Sequence, residues 1–142
     1  MAVTIIIRDI GYAALRKRLQ AADGLDVAVG LLEPDQALKG VLNEFGTPTI
    51  PARPWLSVAV DSNDSQLSSA MGSAVMAVAD GAPARVAVGT LGNFVADLAR
   101  QVILGQEVGG PALAPATVAR KGSDDKLIDT GVMVDSIESE VR

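Results

Sequence analysis

Two helical repeats separated by a breaker constrain this chain more than any other feature. Leu67, Ala70, Met71, Ala74, Val75 and Val78 fall at i, i+3, i+4, i+7, i+8 and i+11, the spacing of one helix face, and the turn over 61–64 introduces them. After the breaker Gly81-Ala82-Pro83, Val88, Leu91, Val95, Leu98 and Val102 repeat at three, four, three and four. Gly89 and Gly92 weaken the start of this second helix. The stripe of the first is narrow and small-sided. Aromatic residues make up only 3% of the chain (Tyr12, Phe45, Trp55 and Phe94), so the interior has to be packed from Val, Leu, Ile and Ala. An apolar share of 49% against 20% charged is enough to offset backbone ordering, and 142 residues favour one domain, 1–142.

Around the two helices the sequence reads as strands and shorter helices. Val3, Ile5 and Ile7 belong to a β-branched run of period two that points to a buried strand. Asp9 then offers an N-cap to a helix whose apolar face is Tyr12, Leu15, Leu19 and Ala22, with Arg16, Lys17 and Arg18 on its other faces and Gly24 as its stop. Alternation over 26–32 gives a second strand. Glu33, Pro34 and Asp35 break it and cap a short helix carrying Leu38, Val41, Leu42 and Phe45, closed by Gly46. Pro48, Pro51 and Pro54 enforce an extended path over 47–54. The stretch 105–126, rich in Gly, Pro, Ala and charge, shows no sustained period and reads as a long extended loop or arm. Over 137–142, Ile137 and Val141 alternate with Glu138 and Glu140, a last strand with one wet face that must pair with an earlier strand or with a neighbouring subunit. The expectation is an α+β fold, a small antiparallel or mixed sheet packed against helices, with a long Gly/Pro-rich loop.

Charge and missing residue types narrow the function. The formal charge is −5, the wrong sign for gripping nucleic-acid phosphates. Histidine and cysteine are both absent, which removes His general bases, Cys nucleophiles, Cys/His zinc sites and disulfides. The glycines at 92, 105, 109 and 110 lack the P-loop spacing, so no nucleotide cofactor is indicated. The pairs Asp124/Asp125 and Glu138/Glu140 read as solvated faces rather than a metal site. The longest uncharged stretch, 65–79, is shorter than the roughly 20 residues of a membrane helix. The first ten residues lack a basic region and a cleavage site, so the expectation is synthesis in the cytoplasm.

Leu127-Ile128-Asp129-Thr130-Gly131 looks like the active-site turn of retroviral-type aspartic proteases, whose chemistry needs two such aspartates sharing a proton across a dimer. Only eleven residues follow Gly131, which leaves no chain for a flap. The preferred reading is a turn that caps a short helical segment, with Asp129 or Thr130 accepting backbone N–H bonds. Arg120 and Lys121, beside Thr117, form a small basic patch in an acidic chain. Trp55 follows Ile50-Pro51-Ala52-Arg53-Pro54, a stiff presentation that suits either a core plug or an interface anchor. A third reading makes 47–56 a Pro-rich recognition ligand of a regulatory binding module.

Two stretches together carry a family resemblance. Asn43-Glu44-Phe45-Gly46-Thr47, continuing through Ile50-Pro51-Ala52-Arg53-Pro54-Trp55-Leu56, resembles the hallmark of phage tail-completion proteins, also called neck, head-to-tail joining or virion-morphogenesis proteins. Pro111-Ala112-Leu113-Ala114-Pro115-Ala116-Thr117, Arg120-Lys121-Gly122, Leu127 through Gly131 and Ser136-Ile137 look like that family's C-terminal half. Trp55 stands where phenylalanine is common, Ser57 where a basic residue often follows, and Lys126 where a proline usually precedes the Leu-Ile-Asp-Thr-Gly run. The resemblance implies a non-enzymatic virion component at the neck, without cofactor or metal. It implies a homo-oligomeric ring, typically of six copies, meeting connector or stopper, tail-terminator and tail-tube proteins around a DNA channel. Its interface and structural candidates are Phe45, Gly46, Pro51, Arg53, Pro54, Trp55, Thr117, Arg120, Lys121, Asp129, Thr130 and Gly131.

Overall fold

The second helical repeat forms the axle on which the other elements pack. The computed structural model describes residues 8–142. Its elements in chain order are α1 (Tyr12–Gln20), β1 (Val27–Leu31), α2 (Pro34–Phe45), α3 (Leu56–Asp61), α4 (Asp64–Asp80), α5 (Ala84–Leu104), α6 (Pro115–Lys121), α7 (Val132–Asp135) and β2 (Ile137–Val141). Among the described residues the fold is α+β, seven helices with a two-stranded antiparallel sheet in one domain. Helix α5 packs against β1, β2, α3 and α4, while α1 lies on α4 and α2 on β1. The strand read from Val3, Ile5 and Ile7 lies outside the described residues.

The last strand finds its partner within its own chain. Val27 stands opposite Val141 and Leu31 opposite Ile137, so Ile137, Ser139 and Val141 share the inner face while Glu138 and Glu140 point to water. Arg85 and Arg100, both on α5, donate to the Val141 and Ile137 carbonyls, and Ser139 Oγ donates to Asn93 Oδ1 at 2.7 Å, so the helix grips the strand at both ends and in the middle.

α5 begins at Ala84 and runs unbroken through Gly89 and Gly92, the two glycines expected to weaken its start. They mark where the sheet comes closest. A Cβ on Gly92 would sit 2.4 Å from Val27 Cγ2 and 3.0 Å from Ser139 Cβ. The propensity cost of glycine, about 1 kcal/mol, is offset by the packing it permits. The face α5 buries is mostly small, with Ala84, Ala87, Ala96 and Ala99 beside Leu98, Val102 and Ile103, as an aromatic-poor interior requires. Val88, Leu91 and Val95 of the expected stripe are only half-buried, and Met71 and Val75 of α4 are largely exposed.

The expected N-terminal cap is present. The Asp9 carboxylate accepts the N–H groups of Gly11, Tyr12 and Ala13 at 3.0, 2.6 and 3.1 Å. The N–H groups of Ala13, Gly11 and Tyr12 hold its carboxyl below the ordinary aspartate value.

The expected long loop is corrected. Residues 115–121 of the 105–126 stretch form α6, entered on Pro115 and closed by Gly122 at φ +76°. The stretch is also pinned rather than free: Gln106 Oε1 accepts the Lys126 N–H at 2.5 Å, Lys126 Nζ donates to the carbonyls of Val108 and Gly110 at 3.0 Å each, and Val108 is buried. Lys126 thus donates through its backbone and its side chain, and a proline could supply neither bond. Gln106 and Leu127 both hold positive φ, +57° and +61°, where the closed loop joins its flanks. Among the described residues no helix is long and apolar enough to cross a membrane.

Candidate functional site

The Pro-rich segment is shaped from its base. Gly46 ends α2 at φ +73°, and a Cβ there would meet Ala52 N at 2.7 Å and the Ile50 carbonyl at 2.8 Å, so only glycine lets the chain fold back this tightly. Thr47 closes the turn, its N–H donating to the Ile50 carbonyl at 2.8 Å and its Oγ1 accepting the Ile50 N–H at 2.9 Å. The path expected to be extended over 47–54 therefore turns at its start and straightens only beyond Pro51. The Arg53 N–H then donates to the Asn43 carbonyl at 2.6 Å, which lays the segment against the end of α2.

Glu44 fastens the other end. Its carboxylate accepts the N–H groups of Trp55, Leu56 and Ser57 at 2.8, 3.0 and 3.1 Å and the Ser57 hydroxyl, so a side chain of α2 caps α3. Burial pushes this carboxyl up, but the Ser57 hydroxyl and the three N–H groups together outweigh it and leave the group below its ordinary value. Sequence reading missed both α3 and this role of Glu44. Six residues give too few turns to show a period, and a cap reaching across eleven positions has no local signature. The Ser57 hydroxyl and N–H both donate to the same carboxylate oxygen, Glu44 Oε1.

Trp55 resolves as a core plug. It is 3% exposed and packs with Leu31, Ala59 and Ile103, its indole Nε1–H directed at the Gly40 carbonyl at 3.5 Å. A Cβ on Gly40 would lie 2.6 Å from Leu31 Cδ1 and 3.5 Å from Trp55 Cζ2, so the glycine makes room for both. Pro54 packs on Gly109, where a Cβ would come within 2.9 Å of its ring. Pro51 is exposed. Phe45 is 78% exposed and lines an apolar groove of about 580 Å³ with Val41, Leu56 and Val60.

The remaining candidates converge, although they come from distant parts of the chain. Arg53, then Thr117, Arg120 and Lys121 of α6, then Asp129, Thr130 and Gly131 all line one recess of about 400 Å³, with Lys39 and Asn43 of α2 completing its wall. Arg53 is 8% exposed, yet its Nε has no hydrogen-bond partner. Among the described residues the ion pairs are Arg100–Asp97 and Arg142–Glu140, so the guanidinium of Arg53 and the charges of Lys39, Arg120 and Asp129 are all unpaired. Lys121 Nζ is engaged, donating to the Asp125 carbonyl at 2.7 Å.

The Asp129 turn leads into a short helix as expected, but its capping chemistry differs. The N-cap of α7 is Gly131 at φ +82°, and no side chain caps the helix. Neither Asp129 nor Thr130 accepts a backbone N–H among the described residues; the Gly131 carbonyl instead accepts the Asp135 N–H at 3.1 Å. Both side chains are exposed on the recess. Among the described residues no three acidic side chains gather closely enough to hold a metal ion.

Compared with family models, curated proteins and solved structures, the chain finds no match in any of the three.

Proposed function

We propose that this chain is a structural subunit that works by assembly, at the head-to-tail junction of a bacteriophage, as a ring around the DNA channel. The observation that carries the reading is the apolar face α2 leaves uncovered: Leu38, Val41 and Phe45, at spacings of three and four, are 61%, 52% and 78% exposed. Val60 of α3 continues it at 41%. A contiguous apolar face beside a groove is costly to leave wet and is the usual mark of a protein interface. The two stretches that carry the family resemblance also support it, since they meet in space at the recess and place it beside this helix.

A copy of the same chain or a neighbouring neck protein covers the α2 face, and six copies close the ring, as the resemblance implies. The acidic balance of the chain, −5 overall, suits a conduit whose wall repels phosphate and lets DNA slide. The basic recess must then face away from the channel. A channel lined by arginine and lysine contradicts this arrangement.

Solution mass tests the reading. The chain alone, and mixed with the connector and tail-tube proteins of the same particle, is expected to enter complexes, and Phe45→Asp is expected to abolish them while leaving the circular-dichroism spectrum unchanged. A chain that stays monomeric in every mixture overturns the reading; monomeric behaviour alone does not, because ring parts can close only on the growing particle.

A further inference from the structure

We propose that the recess between α2, α6 and the Asp129 turn is a binding site for a carboxylate side chain presented by another protein chain. The guanidinium of Arg53 is the reason. A buried N–H that lacks a hydrogen bond is costly, and native structures keep few of them without water, an ion or a ligand to complete them. Here the residue is 8% exposed, its Nε has no partner, and it lines a cavity of about 400 Å³ that is open to solvent. Lys39 and Arg120 stand on the same wall, both exposed and neither engaged by an acidic side chain. Three unpaired cations therefore face one recess in a chain whose net charge is −5.

The lining selects among anions. A planar guanidinium matches a carboxylate in bidentate fashion. Asp129 sits on the same lining and repels a phosphate dianion about twice as strongly as a single carboxylate. The hydroxyl of Thr117 and the amide of Asn43 offer hydrogen bonds of the kind a peptide backbone flanking an acidic residue can use. The acidic protein around the recess disfavours the phosphate backbone of DNA. The site does not depend on ring formation, so its failure leaves the assembly reading standing and the reverse also holds.

The test observes the Arg53 Nε–H directly by nitrogen-15 NMR of the full chain at low ionic strength, the resonance being assigned by its loss in Arg53→Lys. The probe is a short tetraglutamate peptide with blocked ends, compared with the matching tetraglutamine peptide, inorganic phosphate and a short DNA duplex at equal ionic strength. Tetraglutamate is expected to shift the resonance saturably, and the Lys39→Ala/Arg120→Ala variant, which removes only exposed side chains, is expected to bind it about tenfold more weakly. Absence of a saturable shift, an equal response to tetraglutamine, or unchanged affinity in the double variant overturns the proposal. Phosphate or DNA acting at the same or lower concentration also overturns it, in favour of a nucleic-acid contact.

Discussion

Replacing Glu44 with alanine removes a carboxylate that accepts four hydrogen bonds, from the N–H groups of Trp55, Leu56 and Ser57 and from the Ser57 hydroxyl. The two Ser57 donors are exposed and are rehydrated when the carboxylate goes, so their loss is cheap. The Trp55 and Leu56 N–H groups are partly buried and are left short of a partner. A lost cap costs about 0.5–2 kcal/mol, and a hydrogen bond to a charged group contributes about 1.5–3 kcal/mol, so the sum for this half-exposed site is about 2–3 kcal/mol. For a domain of this size that corresponds to a fall in Tm of roughly 6–12 °C. Thermal unfolding followed by circular dichroism and by the fluorescence of Trp55 measures it. Glu44→Gln, which keeps one carbonyl acceptor, is expected to fall between the two. The pH dependence gives an independent check. Because folding lowers the Glu44 pKa, its contribution is complete above the unfolded glutamate value of about 4.3 and is lost as pH falls through the lower folded value. The stability gap between the native chain and Glu44→Ala is therefore flat from neutral pH to about 5 and closes below about 4. A Tm change under about 2 °C, or a gap that widens on acidification, refutes the reasoning.

Further expectations follow from particular contacts. Gly92→Ala gains helix propensity but drives a methyl group into Val27 and Ser139, so it is expected to destabilise by about 1–2 kcal/mol in urea unfolding rather than stabilise. Trp55→Ala empties the centre of the core and is expected to cost about 3–5 kcal/mol, enough to leave little folded protein at 37 °C. Gln106→Ala removes the acceptor of the Lys126 N–H and is expected to expose the 105–126 segment to limited proteolysis with a Tm change of only a few degrees; unchanged cleavage there contradicts the pinned loop.

What the sequence made legible was what repeats locally. The long repeats over 67–78 and 88–102 and the alternation at the C-terminus specify α4, α5 and β2, because each presents several residues at one period. Two short helices, α3 and α6, escaped. α3 has six residues, and α6 lies inside a segment whose Gly and Pro content dominates its composition. Propensity speaks only of the helix, whereas the close packing that Gly92 permits lies on the strands it touches. The candidate site was legible as residue types but not as a place: Arg53, Arg120 and Asp129 acquire meaning only when α2, α6 and the turn before α7 close one recess. The Gln106–Lys126 clamp and the Glu44 cap were invisible for the same reason, since each joins residues that no local pattern links.

Labelling the chain within intact phage particles and imaging them by electron microscopy decides whether the proposed role holds. The expected result is density at the collar between head and tail, in a ring of identical copies about the channel axis. Label distributed over the capsid shell, at the distal tail tip, or absent from particles that assemble and infect normally contradicts it.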